Sequence, residues 1–135
     1  MPAKYVIFSI NSPETAMQLF LLDLILSEKN RTVQNLGIVS NSEDVLKCIN
    51  KGASTFLYAM SPLIYRTNDQ SITMIEDILK PLCKHATVTC LLSSRVSQSE
   101  TDEISARLKE AGIHNVISAS DTLDGLSDTL DAMRL

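Results

Sequence analysis

Gly52-Ala53-Ser54-Thr55-Phe56-Leu57-Tyr58-Ala59-Met60-Ser61-Pro62 reads as a helix stop, a buried strand and a turn. From Ala53 to Met60 the residues are small, β-branched or aromatic, and none is charged. A strand of that composition is covered on both faces, as in the middle of a parallel sheet. Pro62 has no N–H to give to a ladder, so the strand ends before it. The carboxyl end of such a strand is where open α/β sheets place their chemistry. Here it carries Tyr58, Ala59, Met60 and Ser61, with no acid among them.

The same alternation extends outward in both directions. Upstream, Lys4 to Ile10 forms a first strand, and Asn11-Ser12-Pro13-Glu14 is a helix start with Ser12 as cap and Pro13 at the first helical position. The helix runs to about Glu28, and Asn30-Arg31 ends it. Val33 to Ser40 holds a second strand. Ser40 to Glu43 has capping-box spacing, and the next helix ends at Gly52, where a left-handed backbone is needed. Downstream, Ser71 to Lys84 has helical spacing in Ile72, Ile75, Ile78, Leu79 and Leu82, with Pro81 near its end. Ala86 to Leu92 is a fourth strand. Ser97 and Glu100 open a helix that runs to about Ala111. His114 to Ser118 is a fifth strand, and Ser120-Asp121 caps a last helix. Five βα units in succession predict one α/β domain over residues 1–135, a doubly wound, flavodoxin-like parallel sheet in the order 2-1-3-4-5 with helices on both faces.

Composition narrows the function. The chain has 135 residues, 44% apolar and 21% charged, with a net charge of −4, which is globular and large enough for a core. The acidic balance argues against nucleic acid, which selects basic stripes. Cys48, Cys83 and Cys90 are odd in number and far apart, with no CxxC spacing; they read as buried reduced thiols of a cytoplasmic protein rather than metal ligands. Leu19 to Leu26 is the most apolar run, too short to cross a bilayer and interrupted by Asp23, so no membrane insertion is expected. It is apolar around most of the helix, so part of that helix is available to a partner. No signal peptide is visible.

Three stretches carry a resemblance. Asp44 to Gly52 is similar to the second helix of bacterial response-regulator receiver domains, Thr55 to Pro62 to their strand ending Asp-x-x-x-Pro, and Ala111 to Ala119 to their Ala-Gly segment leading into the last strand. The resemblance implies a CheY-like fold. Carried over by residue, it puts Tyr58 at the phosphoacceptor aspartate, Ile10 and Asn11 or Asn11 and Ser12 at the acidic metal-binding pair, Ser118 at the lysine and Ala119 at the proline. Ser93 alone matches, at the switch Ser/Thr. Phosphoryl transfer to a carboxylate needs the carboxylate, a Mg²⁺ on hard oxygen ligands and a neutralising cation. The resemblance therefore implies a pseudo-receiver with a degenerate pocket of Asn11, Ser12, Tyr58, Ser93 and Ser118, no catalysis, no metal and no cofactor. It is also similar to the atypical receiver that leads TadZ/CpaE-like pilus-assembly proteins; no GxxxxGK[ST] loop is present, so the chain would be that leading domain alone.

A protein-binding module is the expected function. A small flavodoxin-like enzyme or ligand-binding domain is the alternative. It would need a glycine turn after the first strand, and Ile10-Asn11-Ser12-Pro13 has none. A cobalamin-type domain would need a histidine there, also absent. Neither His85 nor His114 has a catalytic partner at motif spacing, and no GxSxG elbow occurs. Receiver resemblance further implies a homodimer through the last third of the chain, with Arg107, Asp121, Asp124 and Asp128 as the charges of its face.

Overall fold

A computed structural model describes residues 4–10, 13–60, 69–93, 98–113, 115–119 and 122–134. In chain order these form β1 (Lys4–Ile10), a 3-10 turn (Pro13–Thr15), α1 (Ala16–Glu28), β2 (Thr32–Val39), α2 (Ser42–Asn50), β3 (Ala53–Met60), α3 (Asp69–Cys83), β4 (Thr87–Ser93), α4 (Gln98–Glu110), β5 (Asn115–Ala119) and α5 (Leu123–Ala132). The strands are all parallel, in the order β2-β1-β3-β4-β5. The expected architecture is the observed one.

Two apolar layers hold the helices to the sheet. Alternate residues of the central strands point to opposite faces. Val6, Phe8 and Ile10 join Phe56, Tyr58 and Met60 on one face, under α2, α3 and α4. Tyr5 and Ile7 join Leu57 and Ala59 on the other, under α1 and α5. α1 contributes Leu19, Leu22, Ile25 and Leu26 and α5 contributes Leu126 and Leu130. Each fully buried Leu or Ile stabilises the fold by roughly 1.5–3 kcal/mol. β1 and β3 are buried on both faces because helices cover both, which explains their unbroken apolar runs.

Local signals are displaced by a residue or more in several places. Ser40 does not cap α2: Asn41, in extended backbone at φ −148 and ψ 163, accepts the Asp44 N–H on its side chain. Pro13 begins a 3-10 turn rather than α1, and α1 starts at Ala16 with Thr15 as an N-cap that makes no side-chain cap bond. Thr122 caps α5 by accepting the Gly125 N–H at 3.1 Å. Ser12, Ser97, Ser120 and Asp121 lie outside the described residues. Gly52 takes φ +89 after α2, and Asn30 takes φ +60 after α1, as their positions predict. Pro81 sits inside α3, which ends two residues later.

The register shifts twice, between β1 and β3 after Lys4 and between β1 and β2 after Ile7. β2 carries an extra residue against β1: Ile7 pairs Asn35, but Phe8 pairs Gly37. Gly37 takes φ +68, and its N–H donates to Asn35 Oδ1 at 2.8 Å. The bulge lies on an edge strand, where it disrupts the row of backbone groups another strand would use.

Candidate functional site

Of the expected degenerate pocket, Tyr58 and Ser118 are the residues whose side chains are described. Tyr58 is 0% exposed. Its ring lies against that of Phe8, centroids 5.5 Å apart and planes 16° apart, because the two residues are register partners on neighbouring strands. β3 continues past Tyr58 to Met60, which pairs Leu92. The tyrosine is thus two residues below the strand end and points into the core under α2, α3 and α4. Ile10, one of the positions aligned with an acidic pair, is buried in the same layer. Ser9, on the opposite face, donates its hydroxyl to the Ala59 carbonyl at 2.6 Å and ties β1 to β3. Ser93 is the last residue of β4, in register with Ala119. Ser118 is exposed on the edge strand β5. It stands two strands and two residues from Tyr58, roughly 12 Å by strand geometry. Asn11 lies outside the described residues, as does Ser12.

Among the described residues the buried polar side chains are Ser9, Thr15, Gln18 and Thr89, none of them ionisable. Among the described residues no group of three or more His, Cys, Asp or Glu is placed to hold a metal ion. The Cys90 thiol, beside the Met60 sulfur at 4.0 Å, is raised above its ordinary pKa by complete burial. Burial also raises Cys48, against the lowering influence of Lys4 and Lys51, and Cys83. All three cysteines are free. Desolvated thiols are poor nucleophiles and metal ligands.

The charges of the expected dimer face are dispersed. Arg107 Nε donates to Glu76 Oε1 at 2.8 Å, so the guanidinium is turned across to α3. Asp124 and Asp128 are exposed on α5, on the other side of the sheet. Of the apolar side chains in the last third of the chain, Ile104, Leu108, Ile113, Leu126 and Leu130 are in the domain's own core, Met133 packs against it partly buried, and Leu123 is exposed.

Exposed apolar surface is instead concentrated on α1. Met17 is 65% exposed, Phe20 59% and Leu24 38%. Their spacing of three and four places them on one outward stripe. Sequence reading located the helix through its all-round apolar character but not the stripe, which depends on which arc the sheet covers. No described helix is long and apolar enough to cross a membrane.

No family model matches the chain, and no curated protein matches it. Solved structures do. A chain in the crystal structure of the P1 domain of CheA3 in complex with CheY6 from R. sphaeroides is 15% identical, with a TM-score of 0.55, covering 99% of this chain and 96% of that one. A short-chain flavodoxin associated with a non-canonical PDU bacterial microcompartment is 14% identical, with a TM-score of 0.58, covering 99% and 97%. With the observed strand order, these likenesses give the chain a flavodoxin-like fold.

Proposed function

We propose that this chain is a non-phosphorylatable, receiver-like module that acts by binding other proteins rather than by catalysis. The observation that carries the reading is Tyr58. The residue aligned with a phosphoacceptor is an aromatic ring sealed against Phe8 in the core. Among the described residues the buried polar side chains are Ser9, Thr15, Gln18 and Thr89, with no carboxylate among them, and neither Ile10 nor Ser118 supplies the charge that phosphoryl transfer needs. The flavodoxin-like alternative lacks support of this kind, since β1 leads into no glycine turn. The finer reading, an atypical receiver leading a TadZ/CpaE-like protein in the bacterial cytoplasm, rests on the resemblance of Asp44 to Pro62 and Ala111 to Ala119. A homodimer through Arg107, Asp121, Asp124 and Asp128 has less behind it, because Arg107 is engaged by Glu76.

Incubation of the purified protein with acetyl phosphate and Mg²⁺, followed by intact-mass measurement, tests the reading. The expected spectrum is unchanged. An acid-stable, hydroxylamine-sensitive phosphate adduct on a carboxylate would overturn it.

A further inference from the structure

The outward stripe of α1 does not stand alone. On α5, Asp124, Asp128 and Asp131 are spaced by four and three, so they share one ridge. Asp131 reaches α1 through its ion pair with Lys29, so this ridge borders α1. Asp124 and Asp128 are exposed and have no ion-pair partner among the described residues. Leu123, 42% exposed, adds apolar surface at the start of the same helix. At the two ends of α1, Glu14 and Glu28 are exposed as well. The result is an apolar strip two helical turns long, roughly 10 Å from Met17 to Leu24 by helix rise, with acidic side chains alongside it and at its ends.

We infer that this α1–α5 face is a docking site for a basic amphipathic helix of a partner protein. The inference rests on the protein-binding reading and gives it a surface and a ligand chemistry. An amphipathic helix lays apolar residues at i, i+3 or i+4, and i+7 into such a strip. Its flanking Lys and Arg residues then meet Asp124 and Asp128. Charge selects this occupant over the others. A second copy seated on this face would bring its own acidic ridge to an acidic surface, and the chain already carries a net charge of −4. An anionic bilayer or a nucleic acid would be repelled by the same carboxylates.

The test uses the whole chain and a synthetic helical peptide of about five turns, leucines at i, i+3, i+4 and i+7 and lysines elsewhere. A control peptide keeps the leucines and replaces every lysine by glutamate. The lysine peptide is expected to bind, more weakly as salt rises, and to shift amide resonances of α1 and α5; the glutamate peptide is expected not to bind. Phe20→Glu, at an exposed position that leaves the fold intact, and the pair Asp124→Lys with Asp128→Lys should each weaken binding about tenfold or more. Four results overturn the proposal: binding untouched by the aspartate reversals, resonance shifts confined to other elements, a dimer in sedimentation that Phe20→Glu dissolves, or binding to phosphatidylserine vesicles without binding to the peptide. The intact-mass experiment is independent of all of these, so a failed docking site and a failed pseudo-receiver reading give different results.

Discussion

Tyr58 and Cys90 sit opposite each other on β3 and β4, and each is best tested as a single residue. A carboxylate in place of the Tyr58 ring would lose the stacking on Phe8 and enter a core with no buried cationic partner among the described residues. Tyr58→Asp should therefore destabilise the fold by roughly 3 kcal/mol or more, and it should not restore phosphorylation. A thermal melt checks the first part; an unchanged midpoint would contradict the burial. Cys90 gives a pH dependence. Unfolded, a thiol releases its proton near pH 8.5; buried, this one holds its proton to higher pH. The folded state thus binds more protons above about pH 8.5. The stability present below that pH is lost as the pH rises, with a slope from Cys90 of up to about 1.4 kcal/mol per pH unit. Chemical denaturation at pH 8, 9 and 10 should show this decline in the wild type and a flatter one in Cys90→Ala. Equal slopes would mean that the thiol is solvated.

At the scale of elements, the ends of helices separate what a sequence declares from what the fold decides. Ser40, Asn41 and Ser42 are three capping residues in a row, and any of them has suitable chemistry. Selection falls on Asn41 because its backbone is extended and its side chain faces the Asp44 N–H. Asn41→Ala should cost about 1 kcal/mol and Ser40→Ala close to nothing; the opposite ranking in denaturant titrations would return the cap to Ser40. The βα alternation itself was legible because β-formers and helical spacing are local properties. The ion pair of Arg107 with Glu76, 31 residues apart, was not, and with it went the expected grouping of Arg107 with the α5 aspartates. The bulge at Gly37 was equally hidden, since it depends on the register of β2 against β1.

The whole molecule is a sheet with α1 and α5 packed on one face and α2, α3 and α4 on the other. That arrangement was readable from the order of its elements, because parallel crossovers have one hand and few topologies remain. The state of the pocket was readable only in part. The missing acids are visible in the sequence, but the depth of Tyr58 follows from β3 running on to Met60. The same arrangement leaves the strip on α1 uncovered, since no helix lies outside the α1–α5 layer among the described residues. An amide-resonance titration with Mg²⁺ and beryllofluoride, a phosphoryl mimic, shows whether the carboxyl edge of this sheet responds to a phosphoryl group. No saturable shifts are expected at the ends of β1, β3, β4 and β5; shifts that saturate there, spreading from Tyr58 towards Ser93 and Ser118, would make the edge a working phosphoryl site.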